Sequence, residues 1–132
     1  MSEFSSSPYL TGGLRLFSVF SIVTGSSIVL RGHNLLIPAA DRALLAKPTL
    51  SILDNQVRFL GTTWAGYGTL LWWATNDLRT RQVPLALLGA IMFVAGIARL
   101  SSGLMLGWGA RNLKAATAIE LVIPPLIYFF GF

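Results

Sequence analysis

Charged side chains are missing from four long stretches of the chain: Leu16 to Leu30, Phe59 to Asn76, Gln82 to Ala98, and Ala115 to Phe132, where Glu120 alone interrupts. A helix rises about 1.5 Å per residue, so each stretch with its flanks approaches the ~20 residues that cross a bilayer core. Burying four such runs in a water-soluble core needs amphipathic partner sequence, and 132 residues leave almost none. Composition agrees, with 54% hydrophobic and 11% charged residues, where a soluble domain carries roughly 25% charged. High apolar content also excludes disorder. The expected fold is all-α: a single integral membrane domain over 1–132, built as a four-transmembrane-helix bundle. Its helices fall near 10–31, 55–75, 83–103 and 114–131, with a short interfacial segment, 32–54, between the first two.

The first apolar run follows a polar stretch that carries Glu3 and lacks a basic region, so it reads as a retained helix rather than a cleaved signal. Gly32 punctuates its end, Pro84 opens the third helix, and Gly103, Gly107 and Gly109 read as packing or turn residues. In the interfacial segment Leu35, Leu36, Ile37, Leu44 and Leu45 mix with Asp41, Arg42 and Lys47. There Pro38 is expected to open a short amphipathic helix that Pro48 ends, either as a lid over a pocket or as a plain connector. The net charge of +5 is spread between apolar runs instead of forming a patch, which suits loops beside anionic lipid and not nucleic acid. Arg31, Arg42, Lys47, Arg58, Arg111 and Lys114 share one side of the expected topology, and the positive-inside rule puts that side in the cytosol. The expected location is an internal membrane such as the endoplasmic reticulum.

Without cysteine, disulfides, thiol nucleophiles and Cys-based zinc sites are excluded. A single histidine without a second at helical spacing makes a metal site a poor fit, and no Gly-Lys-Ser/Thr follows the glycine-rich turns, so neither a metal nor a nucleotide cofactor is expected. The informative polar residues gather at one membrane face by topology. His33 and Asn34 follow the first helix, Asp54, Asn55 and Arg58 open the second, Arg99 comes late in the third, and Glu120 comes early in the fourth. Ionisable groups inside a span cost roughly 2.5–3.5 kcal/mol on insertion scales, so they face the bundle interior, pair, and mark functional paths. Asp54 and Arg58 share a helix face at i,i+4 spacing, followed by Gly61, Ala65 and Gly68. A matching stripe of Ser18, Ser21 and Gly25 runs along the first helix. These small faces suit close helix packing; equally, with Trp64, Tyr67, Trp72 and Trp73 nearby, they suit a pocket for a flat apolar ligand. Pro124 and Pro125 are expected to kink the fourth helix and free carbonyls near Glu120. Two readings stand side by side. The charges form a buried ion network that keeps the helices in register, or the two acids divide general acid/base work.

The chain resembles the DUF4345 family of small four-helix membrane proteins. The likeness rests on Asp54-Asn55-Gln56-Val57-Arg58-Phe59-Leu60-Gly61 leading into Gly66 and Gly68, on Gly96-Ile97-Ala98-Arg99-Leu100-Ser101, and on Ile119-Glu120-Leu121-Val122-Ile123-Pro124-Pro125. The Ser-rich N-terminus and Trp-rich second helix are more similar to fungal relatives, some of them in natural-product pathways. The resemblance implies a lipophilic polyketide or terpenoid intermediate, handled by cofactor-independent epoxide opening (hydrolysis or cyclisation) or isomerisation. Asp54 and Glu120 would then be the acid/base pair, Arg58 and Arg99 their electrostatic support, and Asn55, Trp64, Tyr67, His33 and Asn34 the substrate contacts. The alternatives are a non-catalytic protein that binds lipid or a pathway intermediate, and a structural membrane subunit. The Gly103 to Gly107 spacing permits a homo-oligomer.

Overall fold

The computed structural model describes residues 8–109 and 111–131, leaving aside the side chains of 111, 112 and 128–131. The Ser5–Ser7 tract, Glu3 and the side chain of Arg111 therefore lie outside the described residues. Helices make up nearly all of the described chain, and no strand occurs among those residues. In chain order they are α1 (Pro8–Arg31), α2 (His33–Leu36), α3 (Ala39–Ala43), α4 (Lys47–Thr75), α5 (Gln82–Leu106) and α6 (Arg111–Gly131). Two of them, α1 and α5, are long and apolar enough to cross a membrane. The other two long helices reach 29 and 21 residues, but α4 carries Lys47, Asp54 and Arg58, and α6 carries Lys114, Glu120 and two prolines.

The segment between the first two long helices is shorter than the expected 32–54, because α4 begins at Lys47 rather than at residue 55. Pro48 does not end a short helix; it stands in the first turn of α4, where its missing N–H has no partner to lose and its fixed φ suits helix entry. Pro38 does precede a short helix, α3, which closes at Ala43. Gly103 takes the packing role of the two expected for it, since it lies inside α5, where a side chain would collide with the indole of Trp108. The turn is made by Gly107, at φ 83°, whose N–H bonds to the Gly103 carbonyl. Of the Gly103 and Gly107 pair, Gly103 is covered by Trp108, whereas nothing lies within 4 Å of a Cβ at Gly107. Pro124 and Pro125 lie within α6, which runs on to Gly131. Because proline has no N–H, the carbonyls of Glu120 and Leu121 lose their i+4 donors.

The chain divides into two compact units, Gly12–Trp73 and a second formed by Ala74–Phe132 with the residues up to Thr11. In the first, α1 and α4 run antiparallel along the small-residue stripe. Ser18 Oγ donates to the Gly68 carbonyl at 2.5 Å, and Ser21 Oγ donates to the Trp64 carbonyl at 2.5 Å. A Cβ built on Gly25 would stand 2.5 Å from Ala65 N and 2.7 Å from the Gly61 carbonyl oxygen, so only glycine allows these backbones to meet. Trp64 Nε1 donates to Thr24 Oγ1 at 2.8 Å, and its ring meets Phe17 edge-on and stacks on Tyr67. Farther along, the Arg15 guanidinium lies 5.2 Å from the Trp72 ring centroid. In the second unit α5 packs antiparallel on α6, with Gly96 against Glu120 and Leu121 and Gly89 against Pro124. Outward-facing Leu16, Val19, Phe20 and Val23 on α1, and Val83, Leu87, Ile91 and Val94 on α5, leave both helices broadly apolar on the surface.

Candidate functional site

Each unit carries one charge cluster. The first is built where α1 ends. The N–H of Gly32 bonds back to the Ile28 carbonyl at 2.7 Å, and its φ of 59° turns the chain sharply into α2. That conformation favours glycine, and the position has no room either: a Cβ there would strike Asp54 Oδ1 and the Arg58 guanidinium. Asp54, two turns into α4, faces this turn. Its Oδ1 accepts the backbone N–H of His33 at 3.0 Å and contacts His33 Nδ1 at 2.6 Å, while its Oδ2 accepts Arg58 Nε at 2.9 Å. Arg58 Nη1 donates to the Val29 carbonyl at 2.7 Å, capping one of the last carbonyls of α1 that the helix itself leaves open.

The backbone N–H of His33, then its imidazole, then the Arg58 side chain hold the Asp54 carboxyl far below the usual carboxylate range. Asp54 is therefore an ionised acceptor with both oxygens committed. An ionised carboxylate can only accept, so the hydrogen in the short contact belongs to His33 Nδ1. Beside this cluster Arg42 Nη1 donates to Asn34 Oδ1, and Arg42 Nε is buried without a partner. Asn55 is exposed and takes no part in these bonds.

The second cluster lies between α5 and α6. Arg99 Nε donates to Glu120 Oε1 at 3.1 Å. The Glu120 side chain is 8% exposed and that of Arg99 32% exposed. Glu120 Oε2 is buried and has no hydrogen-bond partner among the described residues. Gly96, one turn before Arg99, lets α6 come close enough for this pairing, since a Cβ there would stand 3.0 Å from the Glu120 Cβ. The result is a buried carboxyl group held by one oxygen with the other unpartnered, on the residue whose carbonyl loses its helical donor to Pro124.

His33, Asp54 and Arg58 thus come together in one cluster, and Arg99 and Glu120 in the other. Asn34 joins Arg42 instead, and Trp64 and Tyr67 belong to the aromatic seam between α1 and α4. The sequence drew no attention to Thr24, which accepts the Trp64 indole N–H, and marked Arg42 only as a loop cation. Gly32 was visible only as a helix stop, because its contact with Asp54 and Arg58 arises from residues more than twenty positions away. Among the described residues no three of His, Asp and Glu gather as metal ligands. A family model described as a domain of unknown function, DUF4345, matches residues 10–130. No curated protein and no solved structure matches the chain.

Proposed function

The chain belongs to the DUF4345 family, and from that premise we propose that it is a multi-pass protein of an internal membrane such as the endoplasmic reticulum, with α1, α4, α5 and α6 crossing as a bundle. In this reading it acts without a cofactor on a lipophilic natural-product intermediate, opening an epoxide by hydrolysis or cyclisation, or isomerising a polyene. The observation that carries the reading is Glu120, a carboxyl group buried between two helices, held by Arg99 at Oε1 and without a hydrogen-bond partner at Oε2. A carboxyl group so held exchanges a proton with whatever reaches Oε2, in a setting where little water competes.

In epoxide opening, the proton passes from Oε2 to the epoxide oxygen as its C–O bond breaks. Water or an internal hydroxyl then bonds to the opened carbon, and the proton it sheds restores Glu120. In isomerisation the same oxygen delivers a proton to one carbon and the carboxylate removes one from another. Arg99 stabilises the carboxylate stage of either cycle. Asp54, with both oxygens engaged, supports and positions and does not pass protons.

A non-catalytic reading also has an observation in its favour: each cluster ties one helix to its partner, as a protein that binds lipid or stiffens a complex would need. The test is to remove the gene from the source organism and restore it as wild type or as Glu120→Gln, with protein levels checked. Catalysis predicts that an intermediate accumulates and that only wild type converts it, with a gain of one water for hydrolysis and no mass change for cyclisation or isomerisation. Unchanged profiles point to the binding or structural role.

A further inference from the structure

We infer that His33 is a general base: its imidazole, oriented at Nδ1 by Asp54, presents Nε2 to a hydroxyl group, either water or an alcohol of an amphipathic substrate. The argument begins with hydrogens. Nδ1 sits 2.6 Å from a carboxylate oxygen that can only accept, so Nδ1 carries the hydrogen and, in the neutral ring, Nε2 carries the lone pair. The hydrogen bond of the imidazole among the described residues is the one at Nδ1, and the His33 side chain is 20% exposed, which leaves Nε2 to a hydroxyl group from outside.

The ring is held more firmly than helix pairing requires. The backbone N–H of His33 already ties α2 to Asp54, and Arg58 already ties Asp54 to the end of α1 through the Val29 carbonyl. Removing the imidazole would leave both ties intact. What the Nδ1 contact adds is a single orientation and a single tautomer, the two properties a base needs. Gly32 keeps the space beside Asp54 open for this arrangement. His33 also lies just beyond the apolar run of α1, at the depth where water and the hydroxyl groups of an amphipathic lipid gather.

The chemical step rests on the epoxide-opening reading, whereas the orientation of the ring does not. In this step, which takes the place of the proton cycle given for Glu120, a hydroxyl proton moves to Nε2 as the oxygen bonds to the epoxide carbon, the C–O bond of the epoxide breaks, and the imidazolium returns the proton to the resulting alkoxide. Water is added, or an internal alcohol closes a ring, with no other reactant. His33 is the group that meets substrate in this step, and Asp54 and Arg58 are positioning residues.

His33 is the one histidine of the chain, so nitrogen-15 labelled histidine gives a spectrum with a single imidazole. With the full chain in lipid nanodiscs, the expected wild-type spectrum shows protonated Nδ1 and bare Nε2. Asp54→Asn, folded by circular dichroism, shifts the population toward the opposite tautomer and slows acylation of the ring by diethyl pyrocarbonate. Wild type with its hydrogen on Nε2 would overturn the inference without any variant being needed. So would an acylation rate that Asp54→Asn leaves unchanged. Once the accumulating intermediate is in hand, Asp54→Asn is expected to lower turnover by up to about 10⁴-fold, the loss seen when a carboxylate that sets an imidazole tautomer becomes an amide. Turnover retained by a folded His33→Gln variant overturns the base. Loss in His33→Gln with full activity in Glu120→Gln upholds the base and removes Glu120 from the reaction.

Discussion

Gly25 is where α1 and α4 approach most closely, and replacing it by alanine should separate them by a calculable amount. The new Cβ would stand 2.5 Å from Ala65 N, 2.7 Å from the Gly61 oxygen and 3.0 Å from the Ala65 Cα. Non-bonded carbon contacts settle near ~3.5–4.0 Å, so the backbones must part by about 1 Å, and no flexible side chain is there to yield. The same displacement would stretch the bonds from Ser18 to Gly68 and from Ser21 to Trp64, both 2.5 Å now, to about the limit of hydrogen bonding. Overpacking costs about 1–3 kcal/mol, and each polar contact between membrane helices contributes about 0.6 kcal/mol. The expected destabilisation is about 2–4 kcal/mol. Gly66→Ala is the control, since nothing lies within 4 Å of a Cβ there, and removing a helix-interior glycine should leave stability unchanged or raise it by up to about 1 kcal/mol. Unfolding by dodecyl sulfate in mixed micelles, followed by tryptophan fluorescence, compares the two. If Gly25→Ala is as benign as Gly66→Ala, the close approach of α1 and α4 is wrong.

A double-mutant cycle of Arg99→Met and Glu120→Gln in the same unfolding assay should return a favourable coupling of about 0.6–1.7 kcal/mol. Arg99→Met alone should be less stable than the double variant, because it leaves a buried carboxyl group without its partner. Acid should weaken the fold through Asp54, whose carboxyl lies below its unfolded value. Its contribution is complete above the unfolded pKa of about 3.9 and declines as pH falls from there toward the folded value. The stability gap between wild type and Asp54→Asn is therefore expected to be flat near neutrality and to narrow below about pH 4, as thermal unfolding over a pH series will show. Gly32→Ala should cost about 1–3 kcal/mol from its backbone conformation alone, φ 59° and ψ −139°, and should also disturb the His33 imidazole resonances by pushing into Asp54 and Arg58.

The long helices were legible because an uncharged run of membrane length has few other uses, and the stripe of Ser18, Ser21 and Gly25 was legible because small residues at helical spacing let backbones meet. The start of α4 was not, since Pro48 can close one helix or open the next and only the chain around it decides. Asp54 and Arg58 were readable as an i,i+4 pair, but the third member, His33, joins them across 21 residues through a glycine turn whose φ leaves no local signature. Arg99 and Glu120 stood out as ionisable residues amid apolar sequence. Their pairing, and the buried, unpartnered Oε2, depend on Gly96 bringing α5 and α6 together, which spacing alone does not reveal.

The most direct test of the central claim uses wild type and Glu120→Gln in nanodiscs with the intermediate that accumulates when the gene is absent, in water labelled with oxygen-18. The account predicts that wild type consumes the intermediate, giving a labelled diol if water opens the epoxide and an unlabelled isomer if a ring closes or a double bond moves, while the folded Glu120→Gln protein leaves it intact. A folded wild-type protein that binds the intermediate and returns it unchanged, or a Glu120→Gln variant that converts it at the wild-type rate, would contradict the account.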